Sequence, residues 1–265
     1  MFDPWNTLII DPMVNGLLFL YDVLFNNFTL SLAVFTLLIR ALTLPLTLQQ
    51  QRSTKKMQDL QQTDAWKKMQ EKYAKDREKL GQETMKMYQQ AGVNPLGGCL
   101  PTLIQFPILI GLYQAITLAM AASPVQLLDL SKHLYPFLPN VTSLIPINNQ
   151  FLWLNLGLPD PYYVIVFLVV ATTWIQSKVM TPPSADPQSA QMSQSMAFTM
   201  PLMIGWMSLN FPSGLSIYWI IGNILSIAQY ALTPGMKINW KNVFSFRSAP
   251  APVPARASKP KKKSA

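Results

Sequence analysis

Arg40 lies inside the apolar run from Phe28 to Leu48, FTLSLAVFTLLIRALTLPLTL, about two thirds of the way along a stretch long enough to cross a bilayer. A permanent charge at that depth costs about 3 kcal/mol even on lenient insertion scales. It survives where it faces protein or water instead of lipid, and there it can attract an anionic group. Thr29, Thr36, Thr43 and Thr47 share its helical face, at the three-, four- and seven-residue spacing that makes a polar stripe. Threonine hydroxyls can also bond back to their own helix carbonyls, and arginine can snorkel to headgroups. Arg40 is about 13 Å of helix from polar Gln49, too far to snorkel easily. A water-accessible polar cavity is the better reading.

Other chemistry is sparse. The single Cys99 excludes an internal disulfide, and no Cys/His cluster offers a metal site. The single His133 falls in an expected loop, with no Ser or Asp arrangement that sequence can connect to it. No GxxxxGKS phosphate loop is present. Neither catalysis nor a cofactor is expected.

The elements that would position Arg40 are membrane helices. The chain is 50% hydrophobic and 12% charged, about half the charge density of a soluble domain, as in a polytopic membrane protein. Lys and Arg number ten in residues 49–93 and eight in 233–265, against none in 1–27 and one each in 121–160 and 178–195. The two basic segments are therefore expected in the cytoplasm, with the N-terminus outside and the C-terminus inside. The N-terminal stretch carries Asp3, Asp11 and Asp22 in place of a basic n-region, so no cleavable signal peptide is expected.

These patterns predict an all-α membrane protein with five transmembrane helices and a cytoplasmic helical hairpin between the first two. Residues 1–27, broken by Pro4 and Pro12, suit a short extracytoplasmic interfacial helix. The five-span core covers 28–232, with spans at about 28–48, 95–120, 161–180, 196–211 and 214–232. Pro101 and Pro107 are tolerable within the second span. Residues 49–93 read as a coiled-coil hairpin. Its second arm is one helix carrying Trp66, Met69, Tyr73, Leu80, Met87 and Ala91 at three and four spacing, capped by Thr63 or Asp64 and ended by Gly92 and Pro95. It is either a plain solvated hairpin or a contact surface. Residues 233–265 hold no acid and end in a KPKKK run, as expected of a disordered basic tail that meets anionic lipid or RNA.

Further polar residues stand where lipid-facing helices would not carry them: Gln105 in the second span, Thr172, Thr173 and Gln176 in the third, and Ser216, Trp219, Asn223, Ser226 and Tyr230 on one face of the fifth. Interhelical hydrogen bonding explains any one of them. Together with Arg40 they favour a groove. Met196, Met200, Met203 and Met207 form a stripe that packing explains most simply and that could also accommodate varied apolar partners.

Four stretches, LLIRALTLPLTLQQQRSTKKMQ, NPLGGCLPTLIQFPILIGLY, FLWLNLGLPDPYYV and FPSGLSIYWIIGNILSIAQ, give the chain, over about residues 15–235, a resemblance to the YidC-type membrane insertase family of bacterial, mitochondrial and thylakoid membranes. The resemblance implies a bacterial plasma-membrane protein with a five-span core. Its positive, hydrated groove opens to cytoplasm and lipid, is closed to the outside, and admits nascent membrane proteins without a nucleotide or a small-molecule substrate. It places Arg40 as the groove arginine, with Gln105, Gln176 and Trp219 as polar lining and Tyr218 nearby; Thr36, Thr43 and Asn223 join them on the spacing above. Membrane lipid is an implied partner, and the ribosome and a general secretion translocon are candidates. Two rivals remain on the residues alone: an anion transporter or channel, for which inverted repeats or paired broken helices would speak and are not seen, and an assembly factor without insertion activity.

Overall fold

The computed structural model describes residues 3–74, 76–92, 100–120, 123–136, 147–180, 187–234 and 238. A π-helical turn, Asn6–Ile10, runs into α1 (Asp11–Val23), which buries Val14, Asn15, Leu17, Leu18 and Tyr21 against its neighbours while Phe19 faces outward. Phe25 and Asn26, at φ of 58° and 56°, then turn the chain into α2 (Phe28–Gln61). That helix has 34 residues. At 1.5 Å per residue it is about 51 Å long, well beyond the roughly 30 Å of bilayer hydrocarbon. The first span and the first arm of the expected hairpin are thus one unbroken helix, because no glycine or proline interrupts the chain between Leu46 and Gln61.

The rest of the hairpin departs from expectation in another way. Its second arm is two helices, α3 (Asp64–Tyr73) and α4 (Arg77–Gln90). Thr63 caps the first by accepting from the Trp66 backbone, and Asp76 caps the second by accepting from the Lys79 backbone at 3.1 Å. Asp76 is a strong N-cap in extended conformation, so it starts a new helix where the spacing suggested an interrupted a/d position. Trp66, 2% exposed, packs on Tyr88 at 5.3 Å between ring centres, and Gln61 donates to the Tyr88 hydroxyl. Gly92, at φ +63°, ends the second arm as expected. On its surface Lys86 donates to Glu83 at 2.7 Å, which raises the lysine's pKa; so exposed a pair adds little stability. Pro95 and Cys99 lie outside the described residues.

Next come α5 (Leu100–Ala119) and α6 (Pro124–His133). The second of these was not foreseen. A full capping box between Ser123 and Gln126 starts it, and Leu130 anchors it in the core. His133 is its last residue, not a loop residue, and its Nδ1 lies 2.6 Å from Asp11 Oδ1. Asn15 bridges the same two helices, donating to the His133 carbonyl at 2.7 Å and accepting from the Tyr135 backbone. A two-stranded antiparallel ribbon follows, β1 (Gln150–Phe151) with β2 (Leu154–Asn155), Gln150 opposite Asn155.

The last three helices are α7 (Val164–Met180), α8 (Pro187–Ser208) and α9 (Ser213–Leu232). Buried Asp160 accepts from the backbones of Tyr162 and Ile165 and from the Trp153 indole, which fixes the start of α7. The free N–H groups opening α9 are met by the carbonyls of Leu158 and Leu156, at 2.8 and 3.0 Å from Ser213 and Gly214. A Cβ at Gly214 would come 3.1 Å from the Leu156 carbonyl, a tight contact that glycine avoids.

Among the described residues, α2 and α9 are long and apolar enough to cross a membrane, and Gln105–Ala119 and Val164–Met180 are shorter apolar helical segments. The main core joins Val14, Leu17 and Leu18 of α1, Phe28 and Leu32 of α2, Leu112 and Ile116 of α5, Leu154 and Leu156 of the ribbon, Val169 of α7 and Leu215 of α9. All lie toward one end of the helices, the end where α2 begins. That apolar plug leaves the other half of the assembly free to carry polar residues. The expected tail, except for residues 233, 234 and 238, lies outside the described residues.

Candidate functional site

Below the apolar plug, five helices enclose a cavity of about 370 Å³. Each contributes a polar or adaptable wall. From α2 come Arg40, Thr43, Thr47, Gln50 and Gln51; from α5, Gln105; from α7, Thr173, Gln176 and Ser177; from α8, Met200; and from α9, Tyr218, Trp219, Gly222, Asn223, Ser226 and Gln229. No acidic residue lines it among the described residues, and none lies within ion-pair distance of Arg40.

The cavity sets polar groups among apolar ones, because its helices carry more hydrogen-bonding groups than their mutual bonds consume. Arg40 donates from Nη2 to the Gly222 carbonyl at 3.1 Å, one bond from a side chain with five N–H donors. Gln105 donates to the Tyr218 hydroxyl at 2.9 Å, tying α5 to α9. Asn223 donates to the hydroxyls of Thr172 and Thr173 at 3.1 and 2.9 Å, tying α9 to α7. Gln229 donates to Thr47 at 2.8 Å, and Thr233 donates to Gln51 at 2.9 Å. Such interhelical bonds are worth about 0.6 kcal/mol each in a bilayer, so they position the wall more than they stabilise it.

The expected site residues divide cleanly. Arg40, Thr43, Gln105, Gln176, Tyr218, Trp219 and Asn223 meet around the one cavity. Thr36 does not: it is fully buried and its hydroxyl donates to the Leu32 carbonyl at 2.6 Å, one turn too deep in the plug to reach the opening. Thr43 does both, lining the cavity while donating to the Ile39 carbonyl. The methionine stripe splits as well. Met200 lines the cavity and Met207 a small void beside Ser208 and Phe211, whereas Met196 and Met203 face outward at 52% and 49% exposure.

Sequence reasoning missed Gln50, Gln51, Ser177, Gly222 and Gln229. Carrying the three and four spacing on from Thr43 and Thr47 leads to Gln50 and Gln51, and from Ser226 to Gln229, so those three had a signal. Gly222 had none, because its part is to be small.

Three comparisons bear on this arrangement. A family model described as the 60Kd inner membrane protein matches residues 19–239. The membrane protein insertase MisCA of Bacillus subtilis is 38% identical over 238 residues, covering 88% of this chain and 80% of that one. Membrane protein insertase YidC 2 of Bacillus anthracis is 39% identical over 238 residues, covering 88% and 82%. Among solved structures, an active YidC insertase crystal structure with its first transmembrane domain resolved superposes with a TM-score of 0.60 at 22% identity, over 88% of this chain and 47% of the other. At that identity the superposition speaks for the fold.

Proposed function

The chain belongs to the 60Kd inner membrane protein family, and from that premise we propose how it performs the membrane protein insertion for which its relatives are named. The observation that carries the reading is Arg40: a cation inside a membrane-length helix, facing a cavity with polar groups in its wall and, among the described residues, no carboxylate at hand.

Five helices cross the membrane, α2, α5, α7, α8 and α9, with the N-terminus outside and the C-terminus in the cytoplasm. Two features support this. The basic residues gather in 49–93 and 233–265. The α2 and α9 helices run in the same direction, since Arg40, Thr47 and Gln51 meet Gly222, Gln229 and Thr233 in order, and parallel first and last spans need an odd number of crossings between them. The plug then closes the outer end, the cavity faces inward, and the end of α2 stands in the cytoplasm with α3 and α4.

A hydrophilic terminus or short loop of a nascent membrane protein enters the cavity from the cytoplasm and crosses part of the bilayer without meeting hydrocarbon. Gln105, Gln176, Trp219 and Asn223 supply hydrogen-bond partners, and Arg40 draws in acidic residues, an attraction stronger here than in bulk water. The substrate's apolar span passes along the greasy flank of α5 and α8, where Phe106, Ile110, Phe198, Leu202, Met203 and Trp206 are exposed. Its transfer into lipid releases about 25 cal/mol per Å² of apolar surface, which drives the step without a nucleotide. The basic tail recruits ribosomes or holds anionic headgroups.

Reconstitution into protein-free liposomes tests this. A single-span substrate with a short acidic tail should become protease-protected in vesicles holding the chain and not in empty ones. Anion uptake without substrate protection would instead indicate a transporter, and neither activity would leave an assembly factor.

A further inference from the structure

We propose that Gly222 is the positioning residue for Arg40: by lacking a side chain it provides a notch on α9 in which the guanidinium lies against the helix backbone, aimed into the cavity. This rests on the groove reading above.

The geometry is direct. A Cβ built on Gly222 would sit 2.8 Å from Arg40 Nη2, with the guanidinium carbon and Nε at 3.7 and 3.8 Å. No other atom comes within reach of that Cβ ahead of these three, so the space beside Gly222 is filled by Arg40 itself. The Gly222 carbonyl, part of the backbone ladder of α9, also accepts from Nη2 at 3.1 Å and from the Ser226 hydroxyl at 2.8 Å.

Register explains why the notch and the arginine meet. The three polar links between α2 and α9, Arg40 to Gly222, Thr47 to Gln229 and Gln51 to Thr233, each join residues 182 positions apart. A constant offset over eleven residues means two parallel helices in fixed register, with partners recurring at seven and four. Thr47–Gln229 and Gln51–Thr233 pin that register, and Gly222 is the first rung. A side chain at 222 would meet only the far end of a flexible arginine, so the helices can stay where they are. The guanidinium must then swing off the α9 backbone, losing its carbonyl anchor and its aim. Glycine in a helix interior is otherwise unfavourable relative to alanine, and this notch gives it a reason.

The test reads the electrostatics of the cavity without requiring insertion. In full-length chain with Cys99→Ser, a Gln176→Cys reporter is modified by an anionic and by a cationic methanethiosulfonate of similar size. The ratio of the two rates, relative to a small thiol in solution, reports the positive charge facing the cavity. Gly222→Ala should lower the ratio several-fold. In an Arg40→Lys background, where the slim ammonium does not fill the notch, adding Gly222→Ala should change the ratio by less than about 1.5-fold. Accumulation of the double variant where Gly222→Ala alone fails to accumulate would also support the proposal, since the clash needs arginine. An unchanged ratio in Gly222→Ala, an equal fall in both backgrounds, or loss of the protein in both backgrounds would overturn it. A parent ratio no different from the free thiol would instead defeat the groove reading itself.

Discussion

Replacing Arg40 by leucine removes the cavity's only cation among the described residues while keeping a side chain that α2 tolerates. The fold should survive. Loss of the Gly222 bond costs about 1 kcal/mol, and removal of a charge from the membrane interior returns about 3 kcal/mol. The substrate pays instead. A carboxylate about 6 Å from a guanidinium, at an effective dielectric of about 20, is attracted by about 3 kcal/mol. A cavity open to water roughly halves that, and about 1.4 kcal/mol is a factor of ten in rate. Arg40→Leu should therefore slow insertion of a single-span substrate with an acidic translocated tail about tenfold, and a neutral-tailed partner much less. Arg40→Lys should stay within about threefold of the parent for both. The assay is protease protection in liposomes at matched insertase density. Equal rates for acidic and neutral tails in Arg40→Leu would refute the electrostatic step, though a merely hydrated groove would survive it.

The remaining predictions use other parts of the molecule. Cysteines at Gln62 and Ala255 should be shielded from an impermeant thiol reagent in intact cells and one at Asn149 should react; external labelling of Gln62 would overturn the five-span topology. Asn223→Val removes both bonds from α9 to Thr172 and Thr173 and should lower unfolding stability in detergent by about 1–2 kcal/mol, measured as a shift in denaturation midpoint. The Trp66 indole N–H is buried with no partner, so Trp66→Phe should leave the hairpin as stable or more so, whereas Trp66→Ala should expose residues 63–92 to limited proteolysis; equal protease sensitivity of the two would argue against ring packing as what holds it. Deleting residues 248–265 should weaken ribosome cosedimentation in a salt-dependent way, and unchanged cosedimentation at low salt would remove that role from the tail.

What could be read from the sequence follows from which forces are periodic. Apolar runs located α2, α5, α7, α8 and α9 to within a few residues, apart from the start of α8 and the end of α2, because burial in lipid or protein imposes one composition along a whole helix. The polar stripe through Arg40, Thr43 and Thr47 predicted the cavity wall for the same reason. Local hydrogen bonds decided the failures. Asp76 could serve as a hydrophilic gap in one helix or as the cap of the next, and only its extended backbone settles which. Thr36 shares the stripe's angle but lies one turn deeper, and periodicity fixes angle without fixing depth. The pairing of His133 with Asp11 spans 122 positions and leaves no trace in either segment.

The continuity of α2 connects these parts. One helix carries the plug residues Phe28 and Leu32, the cation Arg40, the last cavity residue Gln51 and the hairpin contact Gln61. Its bonds to α9 begin at Arg40 and end at Gln51, buried at 4% exposure against Thr233. Beyond that rung about 15 Å of helix project free of α9 to the hairpin. A load on the hairpin would thus reach α2 below the ladder, with two rungs between it and the guanidinium. The same register that sets Arg40 beside Gly222 therefore lies between the guanidinium and the projecting end of α2.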